Sequence, residues 1–304
     1  MAVSPTRMTH SPHELLALQP QHSFFVGIDS DGCVFPTMEV KQKQCFHPEL
    51  IRQWHLEAVA PAVREVAGFV FLYSVHRGRN RFTSLLLTFD LLRTHPAVRA
   101  SGAAVRLPAC DALRGFVNSG RPLGNAELQL LADRTGDAEL CDVLAWSFAV
   151  NARIARQASD IAPYPSAVEA LRIIQTCADS MVVSQTPTDT LVREWKRQGI
   201  QECVRFIAGQ EYGTKTEQMR LATQGRIPPT HVLLIGDAPA DREAVEALGG
   251  AFYPILPGDE VASWMRFCDE ALPRFLGGKF TGAYAQSLDR AFRVRLPESP
   301  PWTV

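Results

Sequence analysis

The chain has 304 residues, 46% of them apolar and 21% charged, and a formal net charge of -1. That length can bury one large core or two smaller ones, and that balance is ordinary for a globular protein. Near-neutral charge removes any bulk argument for a nucleic-acid or anionic-membrane partner, and no apolar run is long enough to cross a bilayer. Residues 1–22 lack the continuous apolar stretch of a secretory signal. The seven cysteines, an odd number with no Cys-x-x-Cys pair, read as reduced thiols, so a cytoplasmic location is expected.

After a polar lead-in holding three prolines, residues 24–28 (FFVGI) form a short apolar run that stops at Asp29, as a strand buried on both faces would. Residues 41–159 differ in character. Segments 61–70, 82–94, 125–134 and 137–157 read as helices, and Trp146 and Phe148 as core aromatics. This stretch precedes the second strand, so it is an insertion, a mainly helical cap domain over 41–159 with linkers near 39–43 and 160–165. Glu39, Lys41 and Lys43 read as hinge-surface residues.

The remaining sequence alternates helix and strand. Ser166 and Glu169 have capping-box spacing, and Ala167, Leu171 and Ile174 form one apolar stripe. Residues 180–183 form a strand ending at Ser184; Thr188 could cap a helix carrying Leu191 and Trp195, stopped by Gly199. Strands follow at 204–207 and 231–235, then a helix at 241–248 and an edge strand at 251–255, where Pro254 cannot donate to a central ladder. Val261, Trp264, Met265, Cys268 and Leu272 make a further amphipathic helix, and Tyr284, Leu288 and Phe292 another. This order implies an α/β fold with a Rossmann-like, doubly wound parallel sheet, the core taking in 21–40 and 160–304.

The chemistry-bearing segment is Asp29-Ser30-Asp31-Gly32-Cys33. Two carboxylates two residues apart at the end of an extended strand point the same way, and Gly32 permits a tight turn. Crowded carboxylates repel unless a cation or proton intervenes, and ligands bind at the carboxyl edge of open α/β sheets. Gly236-Asp237-Ala238-Pro239-Ala240-Asp241 closes another strand with two more acids. Oxygen donors without Cys or His suit a hard ion, which beside phosphate means Mg²⁺. The plainer alternatives are a turn-capping Asp29, a helix-capping Asp237, a first-turn Asp241 and a packed Cys33.

Taken together, these residues resemble the haloacid dehalogenase superfamily in its phosphatase branch. The resemblance runs through Asp29-x-Asp31-Gly32, the strand-ending Ser184, Lys215 in Gly-Thr-Lys-Thr-Glu, and Gly236-Asp237-x-x-x-Asp241, and covers about 24–39 and 160–255. It implies a HAD-like core with a C1-type cap and a magnesium-dependent phosphohydrolase acting on a small phosphorylated metabolite. Asp29 would be the nucleophile and Asp31 the general acid and base, with Ser184 and Lys215 holding the phosphoryl group. Asp29, Asp237 and the Asp31 carbonyl would hold Mg²⁺, and Asp241 would orient Lys215 or a metal-bound water. Asp31 favours phosphate esters, because a halide leaving group needs no acid. A phosphomutase, a catalytically silent binding protein of the same fold and a 2-haloacid dehalogenase are the rivals.

The densest basic stretch, His76-Arg77-Gly78-Arg79-Asn80-Arg81, stands before a predicted cap helix and reads either as an anion grip or as a solvated loop. Arg77, Asn80 and, beside Ser184, Gln185 are the candidate substrate contacts. No phosphate-loop, His-Glu-x-x-His or Gly-x-Ser-x-Gly motif is present.

Overall fold

Residues 11–102, 105–157 and 161–302 are described in the computed structural model. Five parallel strands form one sheet in the order β3-β2-β1-β4-β5, with β1 Phe25–Ile28, β2 Asp179–Val183, β3 Phe206–Ala208, β4 Val232–Gly236 and β5 Ala251–Pro254. Both faces are buried, and the side chains divide by the period-2 alternation of a strand. Val26, Ile28, Val182, Leu233 and Ile235 pack on one side with Leu171, Leu191 and Trp195. Phe25, Met181, Val183 and Leu234 pack on the other with Met219 and Val245.

The chain lays β2 and β3 on one side of β1, then crosses to lay β4 and β5 on the other. That reversal makes the carboxyl edge between β1 and β4 the switch point at which open α/β sheets leave a crevice. Ile28 is level with Val182 of β2 and Ile235 of β4, so the residues that follow these three strands emerge at one edge. β5 is an edge strand, as Pro254 requires.

Several local expectations change. Ser166 caps nothing; the Pro165–Gln175 helix starts with proline after Tyr164, and the Ser166 hydroxyl is buried without a partner. Pro187 is the N-cap of Thr188–Arg197, which leaves the Thr188 hydroxyl for other partners. Strand β3 spans Phe206–Ala208 instead of starting at 204, although the Arg205 N–H already donates to the Ser180 carbonyl (2.9 Å) and its side chain bonds Asp179 and the Gln19 carbonyl. Val261 and Met265 are exposed whereas Trp264, Phe267, Ala271 and Leu272 are buried. The buried stripe runs through Trp264, Phe267 and Ala271, and a π-helical turn over Phe267–Ala271 stands between two α-helical segments.

Two compact units divide the chain. The α/β unit comprises Ala162–Phe292 with the described residues up to Pro36; the helical unit comprises Thr37–Ile161 with the described residues from Arg293 onward. The closing segment thus belongs with the helices, whereas the sequence reading kept it in the core. Its Trp302 ring stands 5.5 Å from Phe69 and 5.4 Å from His95. Helices Ala60–Phe71, Arg81–Thr94, Asn125–Thr135 and Ala138–Gln157 surround a core that includes Phe46, Leu85, Phe89 and Trp146. Phe148 is half exposed instead of core, because it lies on the opposite face of its helix from Trp146 and Val150. Lys41 is buried, unlike a hinge-surface lysine.

Candidate active site

The loop after β1 is fixed before any chemistry is considered. The Asp29 N–H donates to the Ile235 carbonyl (2.9 Å), so pairing with β4 continues to the last residue before the turn. Gly32 takes φ 82°, open to glycine and strained for other residues, and its N–H donates to Phe35 O (2.8 Å). Two buried indoles hold the loop from below: Trp195 Nε1 donates to Ser30 Oγ (3.0 Å) and Trp264 Nε1 to Cys33 O (2.9 Å). Cys33 is fully buried; burial pushes its thiol well above the usual range, and Asp29 and Asp237 add to this, so it is a packed group.

Asp29, Asp237 and Asp241 are all buried and each can place a carboxylate oxygen within 4.8 Å of the others. Asp237 follows β4 directly, and Asp241 stands in the first turn of helix Pro239–Glu246. Asp241 Oδ2 accepts from the Ala238 N–H (3.0 Å), which satisfies an orphan donor of that helix. Gly236 makes room for it: a Cβ there would lie 2.3 Å from Asp241 Cγ.

Lys215 opens helix Lys215–Thr223, whose start is locked by the Thr214–Glu217 capping box. Its Nζ lies 2.9 Å from Asp29 Oδ1 and 2.5 Å from Asp241 Oδ1. Three carboxylates and one ammonium leave two negative charges when all are ionised. Burial pushes the Asp29 carboxyl up to about 7; Lys215 pulls it down, and Asp237 and Asp31 push it further up. Burial likewise raises Asp241 to about 6 against the pull of Lys215. Burial alone would lower the Lys215 ammonium, but Asp241 and Asp29 outweigh it and hold it above its ordinary value. An all-oxygen, doubly negative pocket is the donor set of a hard divalent cation. Of the three acids, Asp29 and Asp237 are better placed to serve it, because both Asp241 oxygens are already engaged.

Asp31 is half-buried, and its Oδ2 accepts from Thr186 Oγ1 (3.0 Å). Ser184 ends β2; its Oγ accepts from the Thr186 N–H (3.1 Å) and its N–H donates to Ala208 O (3.1 Å). Gln185 is exposed and spends its amide on Gly213 O (3.0 Å). Gln218, fully buried, donates from Nε2 to the carbonyls of Ser184 (2.9 Å), Gly209 (2.9 Å) and Gly213 (3.0 Å), tying the Ser184 loop to the Lys215 helix. Beneath them Glu211 accepts from the Thr188 N–H (2.9 Å) and hydroxyl (2.6 Å). Thr186, Gln218, Trp195 and Trp264 escape the sequence reading. Each acts through a partner far along the chain, and only the Thr186 position, two residues past Ser184, offered a cue.

The structure therefore gathers Asp29, Lys215, Asp237 and Asp241, with Asp31 and Ser184 on the loops from the adjacent strand ends. The cap candidates are accounted for differently. Arg77 is buried in the helical unit and donates to Leu72 O (2.9 Å), closing the end of helix Ala60–Phe71. Asn80 caps helix Arg81–Thr94 by accepting from the Phe82 N–H (2.9 Å) and donates to Leu123 O (2.7 Å). Arg81 bridges Ser147 and Asn151. The side chains of Arg77, Asn80 and Arg81 bond within the helical unit, a third arrangement beside the anion grip and the solvated loop that the sequence left open.

No protein-family model matches the sequence, and no curated protein is significantly similar to it. Solved structures are similar. A haloacid dehalogenase-like family hydrolase from Streptococcus pneumoniae shares 13% identity over 79% of this chain and 90% of its own, with a TM-score of 0.43. A protein provisionally assigned as a phosphoglycolate phosphatase from Lactobacillus delbrueckii shares 13% over 76% and 85%, at 0.44. The L-2-haloacid dehalogenase of Xanthobacter autotrophicus shares 14% over 90% and 89%, at 0.37. The chain is similar to both phosphatase and dehalogenase relatives at these low values, and its chemistry is argued from its own residues.

Proposed function

We propose that this protein is a hydrolase of the haloacid dehalogenase superfamily, a magnesium-dependent phosphatase that cleaves phosphate monoesters through Asp29. The observation that carries this reading is the buried meeting of Asp29, Asp237 and Asp241 with Lys215, which is 2.9 Å from the proposed nucleophile. Mg²⁺, held when bound by Asp29, Asp237 and the Asp31 carbonyl, supplies positive charge that keeps the carboxylates ionised and offsets charge on a phosphoryl oxygen.

The residues of the chain do the remainder. Asp29 attacks phosphorus and carries the phosphoryl group as an acyl phosphate. Asp31 protonates the departing alkoxide and then takes a proton from the water that cleaves the acyl phosphate. Its hydrogen bond from Thr186 fixes the orientation of the carboxyl group. Lys215 and the Ser184 hydroxyl hold phosphoryl oxygens, and Asp241 pins the ammonium so that its charge is placed before the reaction starts. Asp31 separates this from a dehalogenase, whose halide departs unprotonated. The helical insertion after the nucleophile strand is the element expected to select the substrate, and a small phosphorylated metabolite is favoured over a phosphoprotein.

The test is phosphate release from a panel of phosphorylated metabolites with Mg²⁺, with Asp29→Asn as the control. Release by the wild type that disappears in the variant and on chelation supports the assignment. Equal release by both across the panel ends it, as does chloride release from 2-chloropropionate without any phosphatase activity.

A further inference from the structure

The helical unit contains a cleft of about 800 Å³, within the size range of small-molecule sites. One wall is helix Ala60–Phe71, with Gly68 and Phe69; another is the closing segment, with Trp302. Most of the lining is apolar, from Phe69, Tyr73, Trp302 and two prolines.

Three features single the cleft out. Gly68 sits inside a helix, where glycine is unfavourable, and a Cβ there would meet nothing within 4 Å. The helix thus forgoes a side chain at a place where the cleft has room for one. Next, two lining residues carry buried polar atoms without a partner among the described residues, His47 Nε2 and Trp302 Nε1. Buried polar groups are normally satisfied, so two unsatisfied atoms set just behind one cleft wall mark that wall as unusual. Finally, the charge is lopsided. Lys43, Arg64 and Arg295 line the cleft with one acid, Glu65, which lies 3.3 Å from His95; Lys43 is paired with Glu39 (2.8 Å), so Arg64 is the cation best placed to meet a ligand. Arg64 is exposed and makes no ion pair among the described residues. Burial, with Lys43 and Arg64 adding to it, holds His47 down at about 4, so the imidazole is neutral at pH 7 and can donate through one ring nitrogen.

We propose that this cleft is a binding site for a small carboxylate with an apolar body, its anionic end on Arg64. The hydrocarbon part lies over Phe69, Tyr73 and Trp302. The site is independent of the hydrolase reading, since none of its residues is placed in that chemistry.

Calorimetric titration of the full chain with 4-phenylbutyrate tests it, with 4-phenylbutan-1-ol as the uncharged match and acetate as the charge without the body. One 4-phenylbutyrate should bind per chain. The alcohol and Arg64→Gln should each bind about tenfold more weakly, the loss of a charge-assisted contact. Gly68→Phe, which fills the cleft, should abolish binding with an unchanged melting temperature, and Asp29→Asn should bind as the wild type does. Absence of wild-type binding at about 10 mM, a limit that leaves only negligible affinity, overturns the proposal. So does equal binding by the alcohol, or by a folded Gly68→Phe. If Gly68→Phe fails to fold, the exposed Arg64→Gln decides: unchanged affinity there refutes the anion-binding role.

Discussion

Replacing Lys215 by methionine isolates the charge at the centre of the site. At 2.9 Å from Asp29 and an effective dielectric constant of 20, each ion pair is worth about 6 kcal/mol before desolvation is counted. Burying the ammonium offsets most of that, and removing one partner of a buried network costs about 3–5 kcal/mol net, because the remaining carboxylates stay buried and unpaired. They can escape by taking up protons. Asp29 and Asp241 already sit at about 7 and 6, above their unfolded values, and losing Lys215 raises both. An acid whose folded pKa is raised binds more protons folded than unfolded, so stability is gained as pH falls through the folded pKa towards the unfolded one. In chelator, Lys215→Met should therefore lose about 3 kcal/mol in urea unfolding at pH 8 and clearly less at pH 5.5. Its phosphatase rate should drop about 10²–10³-fold. A variant with the wild-type urea midpoint at both pH values, or with equal losses at both, would refute this electrostatic account.

Three further outcomes follow from the same geometry. Gly236→Ala should lower kcat about 10²-fold by displacing Asp241 and so loosening Lys215, while Gly115→Ala, whose Cβ meets nothing, should leave the rate unchanged; equal rates for both variants would count against the positioning role. Asp31→Asn should slow alkyl phosphates about 10²–10⁴-fold but spare 2,4-dinitrophenyl phosphate, whose leaving group needs no proton; a uniform loss would remove Asp31 from the acid role. His47, neutral when folded, should cost about 3 kcal/mol of stability as pH falls from 6.5 to 4, since the unfolded chain takes the proton first. His47→Leu should flatten that part of the urea-stability profile, and an unaltered slope would show that other groups set it.

The sheet and its acidic edge were readable because they rest on local patterns. Apolar runs ending at Asp29, Ser184 and Asp237 mark strands buried on both faces, and the period of 2 assigns their side chains without ambiguity. What stayed hidden depends on long-range pairing. Nothing in the sequence marks Gln218 until its three carbonyl partners come together, and the two indoles beneath the Asp29 loop read only as apolar residues of their helices. Arg77 and Asn80 stayed ambiguous for the opposite reason. A charged stretch beside a helix entrance looks like an anion grip, but both side chains satisfy backbone groups that the helix ends leave open. The apolar residues around 261–272 admit two stripes, and the one that packs runs through Trp264, Phe267 and Ala271, so Val261 and Met265 were placed on the wrong face.

The position of β1 has a consequence for how activity is lost. Because β1 is hydrogen-bonded on both sides, by β2 and by β4, its amides cannot exchange with solvent unless the whole sheet opens. The proposed nucleophile is thus attached to the last segment of the α/β unit to come apart. Under denaturant, melting of the α/β unit should abolish catalysis within the same transition that unfolds the sheet.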